Sequence, residues 1–216
     1  VTGNVLPFNP LDKKNLGASV AEALIARTAL KLASVKAFIG AGIYAIYYSG
    51  EFAAYKAIAE TNRRSAEAPA APIYVGKAVP AGSRRGGSQS ETSLTKALYS
   101  RLMEHADSIG ATQLCIDDFS CRYLVVDDIW IPLAESLLIA RFAPLWNSLV
   151  DGFGNHDPGR GRYAGLRPRW DVLHPGRPWA ARCQERLESR ETIIRDVAIH
   201  LKNFAPPASL HIPELD

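Results

Sequence analysis

No apolar run in this chain approaches the roughly eighteen residues that a membrane-spanning helix needs, so no segment reads as an integral anchor. Cysteine is scarce. Cys115, Cys121 and Cys183 are odd in number and lack CxxC spacing, which excludes a disulfide framework and a cysteine-based zinc site and leaves buried, inert thiols as the expectation. A strong excess of one charge is also missing: a net charge of +3 is too small to announce a nucleic-acid binder by itself. The opening stretch VTGNVLPFNPLDKKNLGAS has no basic region followed by an apolar one, so a cytoplasmic protein is expected. No internal repeat is visible.

What is present is a chain of 216 residues, 47% hydrophobic and 22% charged, which suits one globular domain over residues 1–216 with a real core. Residues 19–34 predict an amphipathic helix capped by Ser19, with Leu24, Ile25 and Leu32 near one face. A strand follows over 42–50. An Ala-rich stretch broken by prolines separates it from a second strand at 73–78. The Gly/Ser-rich loop after that strand carries Arg84 and Arg85 and reads as functional. Residues 93–110 predict a helix capped by Thr92 or Ser93 and stopped by Gly110. Two more strands are expected within 112–118 and 121–131, then a helix from Pro132 broken at Pro144. Residues 152–179, rich in Gly, Pro and Arg, predict a surface wrap, and a last helix is expected near 180–202.

Several side chains call for chemistry. The stretch AGIYAIYYSG places Tyr44, Tyr47 and Tyr48 on one strand, and alternation puts Tyr44 and Tyr48 on one face and Tyr47 on the other unless a bulge before Gly50 turns Tyr47 inward. Arg101 and His105, four apart, share a helix face beside the stripe of Leu94, Leu98 and Leu102, so a guanidinium and an imidazole stand at the core's edge and need partners. Glu135 has Ile131, Leu138, Ile139 and Phe142 as helical neighbours, and such a carboxylate either snorkels or holds a metal or an arginine. From Arg160 to Arg190 every basic residue is arginine, interleaved with Tyr163, Trp170 and Trp179; the fork of arginine suits phosphates and guanine edges. The same run also reads as a solvated basic surface.

Taken in order, GIY at 42–44, YVG at 74–76, Arg101 with His105, Glu135 and Asn147 resemble the GIY-YIG nuclease superfamily, over roughly residues 40–148. The whole chain is similar to type II restriction endonucleases of that superfamily, homodimers that cut the palindrome CCGCGG. The resemblance implies an α/β (α+β) core over 40–148, a small antiparallel sheet flanked by helices. An N-terminal helical extension (1–39) and an Arg-rich, DNA-contacting C-terminal extension (149–216) complete it. It implies double-stranded DNA as substrate, a homodimer as the working form, and a prokaryotic cytoplasm as the setting. Glu135 would hold Mg²⁺ or Mn²⁺, hard cations that keep several waters, so that one protein carboxylate suffices. Arg101 would pair with the scissile phosphate. Tyr74, with Tyr44 or Tyr47, would position or deprotonate the attacking water, and His105 would accept the proton. Lys77 would lower a phenol pKa or touch phosphate, and Asn147 would orient a ligand. Arg84, Arg85, Arg160, Arg162, Arg167 and Arg169 are the expected DNA contacts, reaching guanine O6 and N7.

Two features depart from the family pattern: residues 49–72 intervene where a short hairpin is usual, and Val75 stands in place of isoleucine. Three rival readings accompany this one. The pairs Asp117-Asp118 and Asp127-Asp128 suggest another metal nuclease, although no (D/E)xK tripeptide follows one strand later. A silent DNA-binding module would use the arginines alone, and a homing or repair nuclease of the same superfamily would carry a further recognisable domain.

Overall fold

In the computed structural model, which describes residues 12–64, 68–79, 95–159 and 161–205, four strands form an antiparallel sheet with helices on both faces. In chain order the strands are Leu30–Lys31 (β1), Gly42–Tyr48 (β2), Pro72–Ala78 (β3) and Phe119–Val125 (β4), and their order across the sheet is β1-β4-β2-β3. The central β2 is buried along its whole length, which is why its sequence is apolar and aromatic almost without interruption. Alternation divides its side chains. Tyr44, Ile46 and Tyr48 enter the larger core, while Ile43, Ala45 and Tyr47 enter a smaller one on the other face.

Helices Lys13–Ile25 (α1) and Ile131–Phe142 (α4) cover the smaller core through Leu24, Ile131, Ala134 and Leu138. They touch at Gly17, where a Cβ would overlap Leu137. The larger core takes Leu98, Leu102 and Ile109 from Ala97–Gly110 (α3), and Ile193 and Val197 from Arg190–Leu201 (α7). Short helices at Leu145–Ser148 (α5) and Arg169–Leu173 (α6) add Trp146 and Trp170. The insertion between β2 and β3 holds a helix, Lys56–Arg63 (α2), whose Asn62 is 2% exposed. Its amide bonds the Tyr48 and Ala71 carbonyls and the Ala71 N–H, each at 2.9 Å, and so ties the two ends of the insertion together.

The expected helix over 19–34 is displaced: α1 starts earlier and ends at Ile25. Non-local bonding overrides propensity there. Arg122, buried in β4, donates to the Arg27 carbonyl at 2.6 Å, and Leu30 and Lys31 pair with Cys121 and Ser120. That pairing also explains why 112–118 is no strand. The sheet edge beside β4 is already taken by β1, and Ile116–Asp118 forms a short 3-10 turn instead. Residues 152–179 do not merely wrap the surface: Phe153, Trp170, Leu173 and His174 are all within 1% of full burial. The last helix begins at Arg190 rather than 180, because Ser189 caps it by accepting from the Thr192 N–H at 3.2 Å. The residue flanking α3 at its start is Lys96, without a side-chain cap, and the expected caps Thr92 and Ser93 lie outside the described residues. Cys121 and Cys183 are buried, whereas Cys115 is exposed, against expectation. Among the described residues no helix is long and apolar enough to cross a membrane.

Candidate active site

Opposite Tyr44 across the β2–β3 ladder stands Gly76, where a Cβ would overlap the Tyr44 hydroxyl. The absence of a side chain there lets the phenol lie over β3. Its Oη sits 2.6 Å from Nε2 of His105, which α3 presents on its buried stripe together with Leu98 and Leu102. Tyr74, on the same face of β3, places its ring 6.2 Å from Tyr44 and 5.3 Å from His105. One turn before His105, Arg101 lies within hydrogen-bonding reach of both phenols. It donates to Glu104 at 2.7 Å and to the Gly154 carbonyl, and contacts Nε2 of His156 at 2.8 Å. Lys77 leaves β3 on the opposite face and pairs with Glu135 of α4 at 2.7 Å. The Glu135 carboxylate is near enough to act on both Tyr44 and Tyr74.

Burial sets the protonation states. Desolvation, and then the neighbouring Tyr74, hold the Tyr44 phenol well above its ordinary pKa, with Arg101 opposing. Desolvation likewise raises Tyr74 against the pull of Arg101. His105 is held well below its usual value by desolvation, then by Arg101, Arg177 and His156. At neutral pH the pair is therefore a neutral phenol against a neutral imidazole, sharing one proton on a short hydrogen bond.

Of the residues expected from sequence, Tyr44, Tyr74, Arg101 and His105 come together, while Lys77 and Glu135 pair with each other from the other face of β3, with Glu135 in electrostatic reach of both phenols. Tyr47 does not join them. Although β2 and β3 slip register between Ile46 and Tyr47, the ring stays on the smaller-core face, where its hydroxyl accepts from Arg122 at 2.9 Å. Asn147 joins the group in a different capacity: its Oδ1 accepts from the Val75 N–H and its Nδ2 donates to the Val75 carbonyl, both at 2.8 Å. β3 is an edge strand, and this amide takes the place of a missing neighbour. Neither acidic pair gains a third ligand, since among the described residues no three of His, Cys, Asp and Glu assemble as a metal group.

The arginine run is largely committed inside the fold. Arg167 donates to the carbonyls of Ala180 and Ala181, and Arg169 to Leu149, Glu188 and Asp196, so both side chains brace the C-terminal segment. Arg162 is exposed and lines a cavity of about 360 Å³ beside Gly154 and His156. Arg84, Arg85 and Arg160 lie outside the described residues. Phe153, Gly154 and His156 also belong to this site and follow from no motif in the sequence. The one local signal is the GFG triplet, since glycines flanking an aromatic mark close backbone approach.

A search of curated proteins finds no match to the chain. A family model described as the Eco29kI GIY-YIG domain matches residues 36–201, well over half of the chain and every residue of the Tyr44–His105 site. The motif strands and the helices bearing Arg101 and Glu135 all fall inside that match, and the chain belongs to the Eco29kI GIY-YIG family of restriction endonucleases.

Proposed function

We propose that the protein is a Mg²⁺-dependent type II restriction endonuclease that hydrolyses double-stranded DNA at a GC-rich palindrome, CCGCGG by resemblance, as a homodimer with one subunit on each half-site. The 2.6 Å contact between Tyr44 and His105 carries the reading. A phenol held above its ordinary pKa by burial is a poor resting base. It is a good relay, because it can take a proton from water while passing its own to Nε2 of a neutral imidazole, and never holds a full negative charge. Arg101 presents its fork to the scissile phosphate, with Glu104, Gly154 and His156 fixing its direction. Tyr74 orders the attacking water beside Tyr44. Lys77, poised on Glu135, adds positive charge next to the developing phosphorane.

Glu135 fits a hard cation: it is an oxygen donor, its side chain is 18% exposed, and its charge acts on both phenols. Mg²⁺ or Mn²⁺ bound there would stabilise negative charge on a phosphoryl oxygen. Arg162 is the described candidate for reading DNA outside the centre.

The deciding experiment incubates purified protein with plasmid DNA in Mg²⁺ and in EDTA and sequences the ends. Metal-dependent fragments ending in one common sequence support the reading and give the site and stagger. Uncut plasmid in a preparation that still binds duplex points instead to a silent binding module. Glu135→Gln should bind duplex and leave it intact; cleavage by this variant in Mg²⁺ would remove Glu135 from the metal role.

A further inference from the structure

A turn from the C-terminal segment, Gly152 to His156, faces the catalytic group. Phe153 stacks on His105 with ring centres 4.4 Å apart and planes 19° from parallel, and meets the Tyr74 ring edge-on at 4.9 Å. The Gly154 carbonyl receives Arg101, and a Cβ on Gly154 would overlap the Tyr74 hydroxyl. The fit requires a bare backbone at that point.

What holds the turn is one guanidinium. Arg177, 5% exposed, donates to the carbonyls of Gly152 at 2.8 Å, Phe153 at 3.0 Å and Asn155 at 3.1 Å. It forms a bidentate pair with the buried Asp171, through Nε at 2.7 Å and through Nη2. Trp170 and Trp179 cover it at 4.7 and 4.6 Å. Neutralising a buried arginine needs the carboxylate alone, whereas here the remaining donors converge on the backbone of the turn.

We infer that Arg177 is a positioning residue, which with Asp171 fixes the 152–156 turn as a wall of the catalytic centre, so that the C-terminal segment takes part in cleavage as well as in any DNA reading. The inference rests on the catalytic reading of Tyr44, Tyr74, Arg101 and His105 given above. Arg177 acts through Phe153 on His105 and through Gly154 on Arg101 and Tyr74. It also reaches His105 electrostatically. The titratable and charged groups facing that imidazole are Tyr44, Tyr74, Arg101, Arg177 and His156, and after burial the guanidinium groups of Arg101 and Arg177 hold its pKa down.

The test uses the full chain on plasmid DNA that the wild type cuts, with single-turnover rate, duplex affinity in EDTA, thermal midpoint and pH–rate profile measured together. Gly154→Ala inserts one methyl against Tyr74 and leaves the buried ion pair alone. Its rate should fall roughly a hundredfold, as expected for a misplacement of about 1 Å, while affinity stays at the wild-type value and the thermal midpoint falls by only a few degrees. Arg177→Met should move the acid limb of the profile to higher pH, because His105 then takes up its proton more readily and is neutral only above a higher pKa. Arg177→Lys, which keeps the charge but cannot span three carbonyls, should not restore the rate. A Gly154→Ala protein that cuts at the wild-type rate overturns the inference, as does an Arg177→Met protein that is slowed only in proportion to its unfolded fraction with an unmoved profile. Tyr44→Phe run alongside separates the two readings. If it too cuts at the wild-type rate, the catalytic reading fails; if it is slowed while Gly154→Ala cuts normally, the wall alone fails.

Discussion

Three positions apart on one strand, Tyr44 and Tyr47 are chemically identical, and only their surroundings set them apart. Both are buried and both have raised pKa values. Tyr44 abuts an imidazole that can take its proton, whereas Tyr47 abuts Arg122, a guanidinium that donates to it and cannot accept a proton. Tyr44→Phe should therefore lower the single-turnover cleavage rate by about 10²- to 10⁴-fold. Tyr47→Phe should cut at the wild-type rate and lose about 1 kcal/mol of stability in urea titration, the worth of one hydrogen bond to a group that keeps its other partners. Reversed results would show that Tyr47 is the relay. The pH dependence follows from His105, which must be neutral to accept and is held well below its ordinary 6.5. The rate should be level as pH falls through 6.5 and decline only at markedly lower values; an inflection at 6.5 in the wild type would take His105 out of the relay.

Elements differ in how far local sequence decides them. The strands β2 and β3 and the helices α3 and α4 were legible because alternation, helical spacing and Pro132 are local signals, and they bring Tyr44, Tyr74, Arg101 and His105 together with Glu135 in electrostatic reach. The end of α1 was not legible, since it depends on Arg122, nearly a hundred residues later, requiring the Arg27 carbonyl. Nor was the direction of Arg167 and Arg169, because an arginine that clamps a turn and one that waits for phosphate look the same in sequence. Asn147 was found for its family position, but its geometry assigns it to the edge of β3. Asn147→Ala should cost about 1–3 kcal/mol by leaving Val75 without partners, and the Val75 amide should lose its protection in hydrogen exchange. An amide that stays protected in the variant would mean that something other than Asn147 closes that edge.

On the scale of the whole molecule, two neutral histidines lie deep in the larger core. His174 accepts from or donates to Tyr55 at 2.6 Å and meets Gln113 at 2.9 Å, and burial, with Arg190 nearby, brings its pKa down to about 3. His105 is shifted in the same direction. Both bind protons in the unfolded chain at pH values where the folded chain leaves them neutral. Their contribution to stability is therefore fully present above about 6.5 and is lost as pH falls below it, each histidine by up to about 1.4 kcal/mol per pH unit until its folded pKa is reached. Urea midpoints measured from neutral toward acid pH should fall with that sign, and His174→Gln should flatten the slope; a midpoint independent of pH would contradict the buried neutral state.

The margins of the sheet carry a consequence for assembly. On one side β1 offers only two residues; on the other, Pro72 has no N–H to give, Asn147 occupies both outward groups of Val75, and Lys77 sets a charge along the rim. Among the described residues, a neighbouring copy finds little open ladder to zip onto. Were two subunits to pair, helices and loops would carry the contact and leave each sheet self-contained, and the folded chain is shielded from the strand-to-strand stacking that seeds fibrils.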